Sequence, residues 1–412
     1  MTSFSPEVVE PNVHVAPRGA IPELPRILSA LLAYCQSHDW AGFDPYDALN
    51  SRWLQVMPWL DSKWIRLTLI QALKRCPVNL RPILAVPPTR NPKALGLFLS
   101  AIVRLSRHRL ADESRLVPEL LAKLAELRSP GVSFWCWGYC FPWQTRTVLV
   151  PRGYPNLVCT VFAAEALLDV FENRSDLQCL DMASSAADYI TRELFWRDGS
   201  VCGFAYPLPN VHVPVHNANF LAAAFLCRVG RLSGRPVLLE TALRVARYSA
   251  QRQSPDGAWD YGEAATQRWR DNFHTGYNLC ALQSIARYAE TAEFDLHLRR
   301  GYSYYRNHFF TPEGAARYYN HRTFPVDAHS VAQSIITLLA FRHLDPAAPD
   351  QAVQVWRWAI EHLWDPRGCF HYQKRRFFTV RIPYMRWVQA WMLLASAHLL
   401  DLDGRTVRTT DS

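Results

Sequence analysis

Apolar residues recur at the 3.6-residue helical period through most of the chain, and the runs fall into two kinds that alternate. Runs at about 115–128, 180–195, 237–253, 293–310 and 350–363 carry charge on one side, as Arg244, Arg247 and Arg252 do in the third. They predict helices with one face in solvent. Runs at about 156–172, 217–231, 273–289, 328–343 and 384–399 are almost wholly apolar and rich in alanine, as in Phe220-Leu-Ala-Ala-Ala-Phe-Leu226. Helices apolar all round are buried.

Each charged run is joined to the next apolar run by a segment with a glycine, an aromatic and then a tyrosine. These segments begin at Gly131, Gly199, Gly257, Gly314 and Gly368, about 68, 58, 57 and 54 residues apart. A pair of helices plus a long loop accounts for that period. A further pair near 51–76 and 92–107 lacks the glycine segment and brings the number of hairpins to six. Six buried helices ringed by six solvent-facing ones make an all-α (α/α)6 barrel, with strand signals confined to short β-ribbons in the loops. No Ser/Gly-rich linker breaks the period. The expected division is an N-terminal extension with a first helix over 1–50, one barrel domain over 51–402 and a tail over 403–412.

Composition narrows the class. The 412 residues are 49% hydrophobic, enough to bury a large core, and carry 45 Lys+Arg against 36 Asp+Glu for a net charge of +9. The charge favours an acidic partner, but no Lys/Arg block marks a nucleic-acid tail. No apolar run reaches 18 residues, and the first residues have neither a basic nor an apolar signal region, so no transmembrane span and no secretory signal is expected. Several of the ten cysteines sit inside apolar helical runs, and they read as reduced core residues in a cytoplasm. Cys136 and Cys140 have no second Cys/His pair at ligand spacing, so no metal is expected. The chain has no Gly-rich phosphate loop, nucleophile elbow or His-Glu-x-x-His helix, and no cofactor is expected.

The glycine segments all precede buried helices, so they share one mouth of the barrel. They are long, at about 14 to 25 residues, whereas the opposite turns are short. Long loops on one face mark the functional face. Polar residues crowd where the buried helices begin: Asn156, then His216, Asn217 and Asn219, then Asp271, His274 and Tyr277, then Asp327 and His329, then Tyr384 and Arg386. Asn156, Asn217, Asp271 and Asp327 are also good helix caps, and each histidine also suits a core position bonded to a backbone carbonyl. Capping alone does not explain the same crowding in five hairpins. Six helix N-termini and the loop residues Arg146, Arg317 and Arg386 favour an anion there. Trp259, Tyr261 and Tyr319 offer planes for sugar rings, with packing between hairpins as the plainer alternative.

The run Gln253-Ser-Pro-Asp-Gly-Ala-Trp259 resembles the Gln/Trp repeat of triterpene cyclases, and the hairpin period is similar to the α/α toroids, which include six-hairpin glycosidases, sugar epimerases and polysaccharide lyases. His216-Asn-Ala-Asn219, Asp260-Tyr-Gly-Glu263, Asp271-Asn-Phe-His-Thr-Gly-Tyr277 and Asp327-Ala-His329 resemble proteins of bacterial exopolysaccharide and surface-polysaccharide gene clusters over about residues 115–399. The resemblance implies a glycan context, with the polysaccharide biosynthesis machinery as a partner, and leaves the reaction open.

Two mechanisms fit the candidates. In a lyase or epimerase, Arg386 or Arg146 with Asn217 neutralises a sugar carboxylate while His274 and Tyr277 act as base and acid; His216 and His329 belong to the same catalytic set. In a glycoside hydrolase, two of Asp260, Glu263, Asp271 and Asp327 form the acid and base pair. A terpene-cyclase-like toroid lacks its Asp-x-Asp-Asp motif here, and a non-catalytic glycan-binding subunit is the third reading.

Overall fold

The computed structural model describes residues 21–57 and 62–408; the first twenty residues of the expected N-terminal extension and the last four of the expected tail lie outside them. Helix α1 (Leu24–Ser37) is followed by two short elements, α2 (Arg52–Val56) and α3 (Lys63–Arg75). From there inner and outer helices alternate: α4 (Pro92–Arg107), α5 (Glu113–Glu126), α6 (Leu157–Arg174), α7 (Leu177–Tyr189), α8 (His216–Leu232), α9 (Pro236–Ala250), α10 (Asn272–Tyr288), α11 (Asp295–His308), α12 (Ala328–Ala340), α13 (Ala348–Leu363) and α14 (Ala390–Arg408). The even-numbered helices from α4 to α14 pack each on the next, and α14 returns to α4. This closed ring is the inner wall of an (α/α)6 barrel, as the pattern predicts.

Four of the six inner helices begin with good caps. Asn91, Asn156, Asp271 and Asp327 each accept a backbone N–H from the first turn that follows. Such a cap is worth about 1 kcal/mol. Small ribbons fill the loops at the mouth: β1 (Trp143–Gln144) with β2 (Leu149–Val150), β3 (Phe195–Asp198) with β4 (Val201–Phe204), and β6 (Trp364–Asp365) with β7 (Cys369–Phe370). A three-stranded sheet joins β5 (Val326–Asp327), β8 (Gln373–Lys374) and β9 (Thr379–Val380), with Asp327 opposite Gln373.

The repeated glycines have a steric cause. Gly257, Gly314 and Gly368 hold φ near +92°, and a Cβ there would meet the next outer helix: Arg300 O of α11 at 2.4 Å, Gln354 O of α13 at 2.9 Å and Ala30 O of α1 at 2.9 Å. Only glycine allows both the left-handed turn and the close approach.

The Gly368 contact identifies the sixth outer helix. It is α1, which packs on α14, and not the 51–76 segment that the sequence pairs with 92–107. Residues 38–57 and 62–91 instead belong to the mouth loop of the first hairpin, enlarged into a cap. The cap has a small core of its own, Ala48, Leu49, Ile70 and Leu73, separate from the main one. It is fastened to the barrel by one buried ion pair and one buried hydrogen bond, with a second ion pair inside the cap. Arg386 donates to Asp44 at 2.5 and 2.8 Å, and Arg81 donates to Asp47 at 2.6 Å and to the Tyr384 hydroxyl at 2.9 Å.

Candidate active site

Under the cap, the starts of α10 and α12 bring chemistry together. Asp271 caps α10 by accepting the His274 backbone N–H at 2.9 Å, and its second oxygen accepts from His274 Nδ1 at 2.8 Å. A carboxylate only accepts, so Nδ1 is the donor, and in the neutral imidazole the lone pair lies on Nε2. The imidazole is 19% exposed and meets the edges of Tyr261 and Trp269, which stack on each other at 4.4 Å.

One turn further on, the Tyr277 hydroxyl lies 2.5 Å from His329 Nε2. Burial holds the phenol well above its usual range. Burial, with Lys93, Arg386 and His274 nearby, holds the imidazole well below its own. Both are therefore neutral at pH 7: Tyr277 donates, Nε2 accepts, and Nδ1 carries a proton that finds no acceptor among the described residues. The His329 ring is clamped between Phe273 at 4.5 Å and Trp391 at 4.6 Å. It orients Tyr277 from within the packing instead of facing the mouth.

Asp327 caps α12 through the His329 N–H at 2.9 Å and accepts from Trp387 Nε1 at 3.1 Å and Gln373 Nε2 at 3.4 Å. Burial outweighs these bonds and pushes its carboxyl up to about 7. A carboxyl poised there can hold or release a proton near neutrality.

Two lysines complete the site. Lys74, from the end of α3, donates to the Tyr46 hydroxyl and lies over the Tyr46 ring at 4.3 Å and the Trp387 ring at 6.0 Å. Lys93, in the first turn of α4, points its amine at the faces of Phe162 at 4.0 Å, Trp391 at 5.3 Å and Tyr277 at 5.4 Å. Burial pulls its ammonium well below the usual lysine range. A cleft of about 390 Å³ opens between the cap and the mouth loops, walled by Lys74, Arg75, Tyr319, Arg322, Gln373 and Arg375, with no carboxylate in its lining. A second cavity of about 230 Å³ runs down the barrel axis below Tyr277, where Arg228 meets Glu165, Asp169 and Glu172.

The structure brings Asp271, His274, Tyr277, Asp327 and His329 together, with Tyr261 and Tyr319 at their edge. It separates the others. His216 turns outward, its Nδ1 3.3 Å from Ser249 Oγ on α9, and burial lowers its pKa to about 4. Asn219 also donates to Ser249 Oγ, at 3.0 Å, and the Trp259 indole donates to the Ser249 carbonyl at 3.0 Å. These three residues form a structural knot behind the wall. Asn156 caps α6 through the Cys159 N–H at 3.0 Å. Asn217 is buried one turn before Leu221, which lines the axial cavity.

Glu263 accepts from the Tyr248 hydroxyl at 2.8 Å and from Arg252 at 3.2 Å, and Asp260 is paired with Arg270 at 2.8 Å, so neither is free for acid–base work. Arg317 donates to the His308 carbonyl at 3.5 Å, and Arg146 is exposed at the β1–β2 tip. Tyr384 and Arg386 are held by Arg81 and Asp44 of the cap, so Arg386 is already neutralised. The cations that face the cleft are Lys74, Arg75, Arg322 and Arg375. Lys93 was within reach of the sequence: it follows the Asn91-Pro92 cap signal at the same register as the other candidates. Lys74 was not, because its helix reads as a barrel helix.

No family profile and no curated protein sequence matches the chain. Solved structures of the (α/α)6 class do match in shape. A cellobiose 2-epimerase from Bacillus thermoamylovorans aligns over 76% of this chain and 87% of its own at 10% identity and TM-score 0.60. A possible GH105 family member from Salmonella enterica aligns over 97% and 100% at 12% identity and TM-score 0.60. An unsaturated glucuronyl hydrolase with the saccharide dGlcA-Glc-Rha-Glc aligns over 92% and 95% at 12% identity and TM-score 0.62. At these identities the likeness establishes the toroid fold.

Proposed function

We propose that the chain is a carbohydrate-active enzyme that acts on an acidic oligo- or polysaccharide by proton transfer at the barrel mouth. The observation that carries this reading is the His274–Asp271 pair, an imidazole with its lone pair free and its edge open, set one turn from a neutral tyrosine. His274 Nε2 takes the proton from the carbon beside a sugar carboxylate or carbonyl. Asp271 fixes the tautomer and stabilises the imidazolium. Tyr277 returns a proton by turning its hydroxyl hydrogen from His329 Nε2 to the substrate. Lys74, Arg322 and Arg375 meet the carboxylate, taking the part that the sequence gives to Arg386 and Arg146.

Saccharide-processing neighbours of the same fold support the substrate class. The charged axial cavity, with Arg228, Glu165 and Asp169, suits a hydrocarbon poorly and weighs against the terpene reading. A role in bacterial surface-polysaccharide biosynthesis, in the cytoplasm, is part of the proposal; it rests on the sequence resemblance and on ten cysteines that are all unpaired.

One observation favours hydrolysis instead: Asp327, with its carboxyl at about 7, is suited to a general acid, with Asp271 as its partner. Incubation with uronate-containing oligosaccharides and mass analysis of the products separates the readings. An isomerised substrate of unchanged mass, or cleavage without uptake of water, supports proton abstraction. Cleavage with uptake of water supports hydrolysis, and binding without turnover leaves a glycan-binding subunit.

A further inference from the structure

The net charge of the molecule is concentrated in two stretches. Residues 62–91 contain Lys63, Arg66, Lys74, Arg75, Arg81 and Arg90 and no Asp or Glu; residues 366–400 contain Arg367, Lys374, Arg375, Arg376, Arg381 and Arg386 and again no Asp or Glu. Together they carry twelve cations, of which Arg81, Arg90, Arg367 and Arg386 are paired with Asp47, Asp39, Asp365 and Asp44 outside the two stretches. The first stretch is most of the cap and the second includes the β8–β9 hairpin. The two meet where Arg375 donates to the Arg75 carbonyl at 3.3 Å, seating the hairpin against the end of α3.

The cap, with Trp53, Val56, Trp64, Ile65, Val78 and Ile83, and the β8–β9 hairpin, with Phe377 and Phe378, hold eight of the fifteen large hydrophobic side chains that are exposed among the described residues. Trp64, near the start of α3, is 74% exposed, and Phe377, at the hairpin tip, is 85% exposed. Trp53 lies beside Ile83, to whose carbonyl its indole donates at 3.2 Å. Cations flank these rings: Lys63 is 5.7 Å from the Trp64 ring, Arg376 5.3 Å from that of Phe377 and Arg375 5.5 Å from that of Phe378. Among the described residues Lys63, Arg75, Lys374, Arg375 and Arg376 have no carboxylate partner.

Exposed aromatic tips with unpaired cations at their base suit the boundary between lipid headgroups and acyl chains, where rings bury and cations stay with anionic phosphates. An acidic protein would match the charge but would leave the projecting Phe377 and Phe378 without a pocket. We propose that the cap and the β8–β9 hairpin form a peripheral docking surface for an anionic lipid bilayer. Among the described residues no helix is long and apolar enough to cross a membrane, so the attachment is interfacial. The basic cleft lies between α3 and the hairpin, so docking turns the barrel mouth toward the headgroups. The proposal stands on the surface alone and does not depend on the reaction at the mouth.

The test is co-sedimentation of the full chain with vesicles of phosphatidylcholine and with vesicles containing 30% phosphatidylglycerol. Binding only to the second, weakening at least tenfold between 0.1 and 0.5 M salt, is expected. Phe377→Ser with Phe378→Ser, and separately Arg375→Glu with Arg376→Glu, should each weaken partitioning at least tenfold. Leu177→Ser and Leu296→Ser, which alter exposed apolar residues elsewhere, should leave it unchanged. Trp64→Ser gives an independent check on the cap if a hairpin variant fails to fold. Equal binding to both vesicle types, or variants that bind like the wild type, overturns the proposal. So does a wild-type dimer that the hairpin variants dissociate while vesicles are ignored, which would make the surface an interface between two copies.

Discussion

The start of α8 and the start of α10 carry similar residues at the same end of the barrel, yet they do different things. His216 is the first residue of α8 and His274 the third of α10. Two residues turn a helical side chain by about 200°. His216 therefore points back to Ser249 on the outer ring, where Asn219 and Trp259 join it, while His274 points to the mouth. Asn272, at the position in α10 that His216 holds in α8, behaves as His216 does: it accepts at 2.9 Å from the hydroxyl of Tyr305 on the outer helix α11. The phase of a residue within the first turn, more than its membership of the mouth, decides between architecture and chemistry.

The strongest way to break this contrast is to truncate the two histidines. His274→Ala is expected to lower turnover by about 10²–10⁴-fold, the usual contribution of a positioned acid or base, with a thermal midpoint within a few degrees of wild type. His216→Ala should do the reverse, costing about 1–3 kcal/mol because Ser249 loses a buried partner and a cavity is left, with turnover nearly unchanged. Denaturant melts together with turnover rates check both. Equal losses of activity in the two variants would dissolve the distinction.

Acid and base sharpen the comparison, because the two regions respond in opposite directions. Asp327 holds its proton up to about 7 in the folded chain, whereas the unfolded chain releases it near 4. The folded state binds the extra proton between those values, so this group makes stability fall as pH rises from about 4 to 7. His216, lowered to about 4, binds its proton less readily when folded, so its contribution is present above about 6.5 and is lost as pH falls toward 4. Asp327→Asn should therefore gain stability relative to wild type between pH 5 and pH 8, and His216→Asn should gain relative to wild type as pH drops from 7 to 5. Thermal midpoints across that range test the signs.

A smaller effect separates the repeats themselves. Gly257→Ala forces a Cβ within 2.4 Å of the Arg300 carbonyl, whereas at Gly199 a Cβ meets nothing within 4 Å. Gly199→Ala should cost only the strain of its positive φ, about 1 kcal/mol, and Gly257→Ala distinctly more. Urea melts resolve the difference.

The sequence carried the barrel because its signal is repeated: five glycine segments, two kinds of helix and one period all point to the same ring. Helix α1 escaped the count because residues 38–91 separate it from its hairpin partner α4, and α3 imitates the missing outer helix. In the site, Asp271, His274, Tyr277, Asp327 and His329 were legible from their register. Arg386 was legible as a mouth residue but not as a neutralised one, since its partner Asp44 lies 342 residues away in sequence. Similarly, residue type does not distinguish His216 from His274; the difference lies in where each helix begins, which depends on the Asp271 cap in one case and on Val215 in extended backbone in the other.

The central claim is that His274, held by Asp271, takes a proton from carbon. The most direct measurement is NMR of an acidic reducing oligosaccharide incubated with the protein in heavy water. Deuterium should appear at the carbon beside the carbonyl or carboxylate with the wild type, at a rate reduced at least a hundredfold by His274→Ala and unaffected by His216→Ala. A saccharide that is hydrolysed without any deuterium at carbon, at a rate that Asp327→Asn abolishes and His274→Ala leaves unchanged, would contradict it.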